Sequence, residues 1–359
     1  MDNHPLILTI NPGSTSTKVA VFKESDTVFL KNIKHSVIEL EKFKKITDQF
    51  SYRKTLIYKE LEEAGIELSQ IRVVVGRGGL LKPIPSGVYR VNEAMKKDLQ
   101  NSPMGEHASN LGGLIADDIA QQLPDAKAYI ADPVVVDEFD HLARYSGHPL
   151  FPRYSIFHAL NQKAIGRRHA KTVSTKYEEM NLIIVHLGGG ISVGAHRKGR
   201  VIDVNQALDG DGPFSPERSG TLPMGTVLKA AFSGDYTYEQ MKAMLVGKGG
   251  MCAYTGSNDA YEVIVAAQGG DKKSYEVIEA MAYQVSKEIG AMSTVLKGDV
   301  DAILLTGGIA YNQIFCDFIT ERVNSIAPIF IYPGEDEMVA LAENGALVLS
   351  GEVVAKEYK

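Results

Sequence analysis

Apolar runs that stop abruptly at small-polar or glycine-rich turns recur along this chain. Leu-Ile-Leu-Thr-Ile at 6–10 runs into Asn-Pro-Gly-Ser-Thr-Ser-Thr-Lys at 11–18, and Val-Val-Val at 73–75 runs into Gly-Arg-Gly-Gly at 76–79. Leu-Ile-Ile-Val at 182–185 runs into His-Leu-Gly-Gly-Gly at 186–190, and Ala-Ile-Leu-Leu at 302–305 into Thr-Gly-Gly at 306–308. Each run reads as a buried strand. The first turn leads into Lys-Val-Ala-Val-Phe-Lys at 18–23, another strand, so residues 6–34 predict a strand–turn–strand–turn–strand meander. Residues 183–204 repeat the meander, with Gly188 at the place of Gly13 and Ala195 at that of Ala20. A second pair, 72–79 and 302–308, comes late in each half. Two correspondences in the same order predict an internal duplication.

Between the strands, apolar residues recur at three-to-four spacing over 39–65 (Phe43, Ile46, Phe50, Leu56, Ile57, Leu61), 106–123, 275–296 and 336–353, which predicts helices. Strands alternating with helices predict an α/β fold. The chain has 359 residues, more than one simple core supports, which predicts two domains. The expected boundary lies near Pro149 and Pro152, giving domains at 1–150 and 151–335, with the closing segment 336–359 returning to the first.

Composition narrows the function. A net charge of −6 disfavours a general nucleic-acid binder, which needs a basic face. An anionic substrate must then be drawn by a few local basic groups. Cys252 and Cys316 are far apart, fit no metal-ligand spacing, and read as reduced thiols of a cytoplasmic protein. The N-terminal stretch lacks a basic leader, and no apolar run is long enough to span a bilayer.

Successive N–H groups in glycine turns make concave anion sites, so four such turns at strand ends suggest a nucleotide held by backbone from several sides. The usual phosphate loops are missing: G-x-x-x-x-G-K-[ST] is absent, and no G-x-G-x-x-G joins a strand to a helix. Phosphates held by hairpin turns point to the actin and hexokinase type of ATPase. That type has two duplicated actin-like (ribonuclease H-like) domains with a nucleotide cleft between them.

Leu-Thr-Ile-Asn-Pro-Gly-Ser-Thr-Ser-Thr-Lys at 8–18 resembles the N-terminal signature of the acetokinase family. The resemblance continues through Asp-Pro-Val-Val-Val-Asp-Glu-Phe at 132–139, Phe-His-Ala-Leu-Asn at 157–161, and His-Leu-Gly-Gly-Gly-Ile-Ser at 186–192. It extends to Gly-Asp-Gly-Pro-Phe-Ser-Pro-Glu-Arg-Ser-Gly at 210–220 and Leu-Thr-Gly-Gly-Ile-Ala-Tyr-Asn at 305–312. Within the family, the segments 75–80 and 209–220 are most similar to the branch acting on butanoate.

The family transfers the γ-phosphoryl group of ATP to short carboxylic acids. A carboxylate is already a competent nucleophile, so the difficulty is bringing an anion to a polyanion. Positioning and neutralisation of the phosphoryl oxygens then dominate, which calls for arginines, Mg²⁺ and a further donor.

The resemblance implies that Arg77 and Arg218 bracket the acid and the transferring group, and that His158 donates a hydrogen bond to it. Asp137 would orient an arginine or a metal-bound water. Asn11, Ser14, Ser16 and Lys18 would contact the phosphates and the metal, with Glu337, or alternatively Glu335, as the acidic metal ligand. His186, Gly188, Gly189 and Gly190 would cradle the β- and γ-phosphates. Gly307, Gly308 and Asn312 would face the adenosine, and Asp209 would add a hydrogen bond at ribose or phosphate.

The implied reaction is ATP plus butanoate giving ADP plus butanoyl phosphate, reversible, with Mg²⁺ and direct in-line transfer, in a protein that is at least a dimer. Acetate, propionate or isobutyrate are the alternative acids. A chaperone ATPase or filament subunit would also use the nucleotide turns, although the length leaves no room for a peptide-binding domain. A sugar kinase would need an aspartate base, for which Asp137 is the candidate.

Overall fold

Strand β1 (Leu6–Pro12) is buried at all seven positions, as a strand covered on both faces must be. It runs antiparallel to β2 (Ser16–Lys23), which runs antiparallel to β3 (Asp26–Lys34). On the other side of β1 lies β4 (Ile71–Arg77), parallel to it. Beyond come β5 (Val88–Arg90) and β6 (Lys127–Ala131), with β6 parallel to β4 and β5 antiparallel to β6. In the second half, β7 (Asn181–Leu187), β8 (Ile191–Arg197) and β9 (Arg200–Val204) form another antiparallel meander. β10 (Ala302–Gly307) joins β7 in parallel, and β11 (Ile329–Pro333) joins β10 in parallel. The chain closes with the helix Glu337–Ser350 and the short strand β12 (Lys356–Glu357).

The structure, a computed structural model, describes residues 5–359, and of Val37 the backbone alone. The chain forms two units, Met1–Val136 with Asp336–Lys359, and Asp137–Glu335. The first holds the sheet β12-β5-β6-β4-β1-β2-β3, the second the sheet β11-β10-β7-β8-β9. The run β6-β4-β1-β2-β3 and the run β11-β10-β7-β8-β9 have the same order and the same strand senses, so the predicted duplication is present.

The residue-level correspondence needs one correction. Pro12 pairs with Thr17 across the first turn, whereas Leu187 pairs with Ile191 across the second. The first turn is therefore one residue longer, and counting outward from each turn sets Ala20 opposite Gly194, not Ala195.

Helices cover both sheets. The segment 39–65 is not one helix: Val37–Leu40 is a single turn, and the main helix is Phe50–Glu63. The Asp48 carboxylate accepts the Lys45 N–H at 3.0 Å, a local bond that starts a new helical turn instead of continuing an old one. The helix Asn110–Gln121 packs very closely on β4. A Cβ on Gly76 would lie 2.2 Å from the Gly112 carbonyl oxygen, and one on Gly79 would lie 2.3 Å from Asn110 Oδ1. Glycines 76, 79 and 112 thus serve helix-on-sheet packing. The closing helix lies on the first sheet, with Gly345 against Ile7, Val73 and Val75. In the second unit the long helix Lys272–Val295 places Val277, Met281, Val285 and Ile289 in the main core.

Candidate active site

In the first unit, three predicted residues meet. Asn11 is the last residue but one of β1, Arg77 ends β4, and Glu337 opens the closing helix. Parallel pairing of β1 with β4, with Ile10 beside Gly76, brings the first two together. Asn11 Nδ2 donates to Glu337 Oε2 at 2.5 Å. Arg77 Nη1 donates to the same oxygen at 3.1 Å and to Asn11 Oδ1 at 3.2 Å. Glu337 is buried and Arg77 half-buried.

Beside them is the first turn. Ser14 is exposed, whereas Ser16 and Lys18 are half-buried. Sequence reasoning missed what holds this turn. Arg53, fully buried on the helix Phe50–Glu63, donates Nη1 to the carbonyls of Gly13 (2.8 Å) and Ser16 (3.0 Å) and to Thr17 Oγ1 (3.0 Å). Its Nη2 donates to the Ser14 carbonyl at 3.2 Å, and Nε and Nη2 share Gln49 Oε1. All of these acceptors are neutral, and burial pulls the guanidinium pKa down to about 10. The only sequence signal was an arginine placed amid the apolar spacing of a helix.

In the second unit, His158 and His186 stack with ring centroids 3.8 Å apart and planes 13° apart. His158 sits at the N-cap of the helix Ala159–Thr172, and its Nδ1 lies 3.0 Å from Ser192 Oγ. His186, buried near the end of β7, has Nδ1 2.8 Å from Asn161 Oδ1 and Nε2 3.3 Å from Glu335 Oε1. Glu335 therefore sits by His186, while Glu337 sits with Asn11 and Arg77.

The triple-glycine turn follows directly. A Cβ on Gly188 would lie 2.8 Å from His186 Nε2, and one on Gly190 would lie 2.0 Å from Arg218 Nη1. The side chain of Arg218 therefore occupies the space that a residue larger than glycine would take. Its Nη1 donates to the Ala207 carbonyl, but its buried Nε has no protein partner. Burial holds the Arg218 pKa below the ordinary arginine value. Gly189 is exposed and its carbonyl accepts from Ser215 Oγ at 2.6 Å.

A cavity of about 590 Å³ opens beside this turn. Gly188, Gly189, Gly308 and Asn312 line it, as does Glu335. Tyr311, from the expected adenosine-side loop, also lines it, as do Tyr261 and Ile264, which were not foreseen. The volume falls within the range of small-molecule pockets. Gly307 has φ +94°, and a Cβ there would meet the Leu187 backbone at 2.3 Å, so it permits close approach of β10 to β7 while Gly308 faces open space. The Asn312 side chain caps the helix Gln313–Val323 by accepting the Phe315 N–H at 2.9 Å.

Two predicted residues stand apart from these clusters. Asp137 receives a two-pronged bond from Arg144 at 2.7 and 2.8 Å, so the arginine it orients is Arg144. Asp209 is exposed, and its N–H is tied to Gln206 Oε1.

Residues 144–329 match the profile of the family described as the Acetokinase family. Butyrate kinase 1 of Clostridium acetobutylicum is 56% identical over 353 residues, spanning 98% of this chain and 99% of that protein. A probable butyrate kinase of Bacteroides thetaiotaomicron is 53% identical over the same shares. Among solved structures, an acetate kinase of Porphyromonas gingivalis matches with a TM-score of 0.76 at 17% identity, over 96% of this chain and 100% of that one.

Proposed function

The chain belongs to the acetokinase family, and from that membership and the geometry above we propose that it transfers the γ-phosphoryl group of ATP to butanoate, giving butanoyl phosphate and ADP reversibly. One observation carries the phosphoryl-transfer part: Arg218, pressed into the space left by Gly190, keeps a buried guanidinium N–H without a protein partner. A buried donor left this way favours an anionic acceptor. The choice of butanoate rests on identity above half to proteins named as butyrate kinases along the whole chain.

Arg77 and Arg218 neutralise the acid and the phosphoryl oxygens, and His158 donates a hydrogen bond to the transferring group. The triple-glycine turn and the cavity beside it take the phosphates and the adenosine. Asn11 Oδ1 and the Glu337 carboxylate are hard oxygen donors of the kind a magnesium ion takes from protein alongside phosphates and water. Bound there, the ion would supply further neutralisation of phosphate charge. No base is needed for a carboxylate nucleophile. The one aspartate that a sugar kinase would use, Asp137, is already committed to Arg144.

The helices Met224–Ala231 and Tyr238–Leu245 bury no residue and expose Met224, Leu228 and Tyr238, with Phe232 exposed between them, which supports assembly into at least a dimer. No helix among the described residues is long and apolar enough to cross a membrane.

Trapping acyl phosphate with hydroxylamine over a series of acids from acetate to pentanoate tests the proposal. Butanoate should give the highest kcat/KM. One methylene in an apolar pocket discriminates by about 1–3 kcal/mol, so a preference for acetate would remove butanoate as the substrate. ADP formation independent of any acid would remove the kinase reading altogether.

A further inference from the structure

A train of buried polar side chains runs from the core of the second unit to His158. Tyr177 Oη lies 2.6 Å from His196 Nδ1, and His196 Nε2 lies 2.8 Å from Gln162 Oε1. Gln162 Nε2 reaches the Ser192 carbonyl at 3.1 Å and Ser192 Oγ at 2.8 Å. Ser192 Oγ then meets His158 Nδ1 at 3.0 Å. Gln162, Ser192 and His196 are fully buried and Tyr177 nearly so. Buried polar groups are obliged to pair, and that obligation leaves one direction for each bond.

The Ser192 carbonyl fixes the sense of the train, because a carbonyl oxygen only accepts. The Gln162 amide nitrogen must face it, so the Gln162 amide oxygen must face His196. His196 therefore carries its proton on Nε2. Its Nδ1 accepts from the Tyr177 hydroxyl, which requires a neutral ring. Burial and the nearby Lys163 charge agree, since they hold the His196 pKa well below the ordinary histidine value. At the other end, the Gln162 amide fills an acceptor site on Ser192 Oγ. The hydroxyl proton is left to point at His158 Nδ1.

From this we infer that Tyr177, His196, Gln162 and Ser192 are positioning residues that lock His158 into the tautomer protonated at Nε2, making it a neutral hydrogen-bond donor. His186 stacks on the same ring at 3.8 Å, with its own Nδ1 facing Asn161 Oδ1 and its Nε2 facing Glu335 Oε1. A donor without net charge serves a phosphoryl group in both directions of a reversible reaction, because it takes up no proton in either. The locking also makes Nδ1 unavailable as a general base. The functional part of this inference rests on the reading that His158 faces the transferring phosphoryl group; the tautomer itself does not.

Nitrogen-detected NMR of histidine-labelled protein reads the tautomer directly, with the His158 signals identified by their loss in His158→Gln. At a pH about one unit above the ordinary histidine value of about 6.5, His158 should show a protonated Nε2 and a bare Nδ1. Gln162→Glu replaces the amide donor with an acceptor. The Ser192 proton then turns to the carboxylate, and His158 should switch to the tautomer protonated at Nδ1. Ser192→Ala, a smaller change that keeps the backbone carbonyl, should leave the two tautomers mixed. It should also lower kcat about tenfold, the equivalent of one hydrogen bond lost from the transition state, with the KM for ATP unchanged. A wild-type His158 protonated at Nδ1, or a tautomer that neither variant moves, overturns the inference. A tautomer that shifts as described while kcat stays at the wild-type value leaves the locking in place and removes His158 from phosphoryl transfer.

Discussion

Arg53 offers the sharpest test of how the first phosphate turn is built. Replacing it by methionine keeps most of the buried volume and deletes every N–H. Two of its five acceptors keep another partner: the Ser16 carbonyl retains the Gly13 N–H at 2.8 Å, and Thr17 Oγ1 retains His35 Nε2 at 2.8 Å. Ser14 is exposed, so water can replace the lost bond to its carbonyl. The Gly13 carbonyl and the buried Gln49 Oε1 are left bare. An orphaned buried acceptor costs about 1–3 kcal/mol, and release of the desolvated cation offsets part of the total, leaving about 3 kcal/mol. For a unit of this size that lowers the melting temperature by about 6–12 °C. Lysine should recover little, because one ammonium cannot span the fan of acceptors that the fork reaches. Calorimetry of wild type, Arg53→Met and Arg53→Lys gives the stability. Titration with ATP gives the effect on the turn, expected as weaker binding in both variants. If Arg53→Met melts with the wild-type protein and binds ATP equally well, the guanidinium is not what holds the turn.

Gly190→Ala should push the Arg218 guanidinium aside and lose acyl phosphate formation nearly as completely as Arg218→Ala, with little change in melting temperature; retained activity in either variant, measured by hydroxamate trapping, would refute the proposed charge clamp. Glu337→Gln should abolish the gain in ADP affinity that Mg²⁺ confers on the wild-type protein, as read by isothermal titration with and without the metal, and an undiminished gain would remove Glu337 from the metal site. Burial, chiefly, holds His196 well below the ordinary histidine pKa and takes His35 down to about 4, with Arg53 adding to the effect at His35. The unfolded chain therefore binds protons that the folded chain refuses, and the urea midpoint should fall as pH drops below about 6.5; a midpoint constant down to about pH 5 would contradict the assigned neutrality of these rings.

The order of apolar runs and glycine turns was enough to locate β1, β2, β4, β7, β8 and β10, the repeated meander and the closing helix. Those features depend on residues close together in the chain: a run that must be covered on both faces, a turn that must admit glycine, a stripe at helical spacing. The partners of the site residues were settled elsewhere. Glu337 meets Asn11 across 326 positions and Arg77 across 260, because β1 and β4 end side by side and the last helix begins above them. Gly76 and Gly79 turned out to sit tightly against the helix Asn110–Gln121, and Asp137 to be held by Arg144. The sequence marked Arg53 only as an arginine amid apolar spacing and Ser192 only as the end of a glycine-rich motif; their partners, like those of Gln162, were not legible, since a buried polar side chain acquires meaning only from the group that faces it. Local order thus determined which elements form. Sheet pairing and close packing decided which side chains share a site, because hydrogen bonds and ion pairs act over a few ångströms of space and are indifferent to distance along the chain.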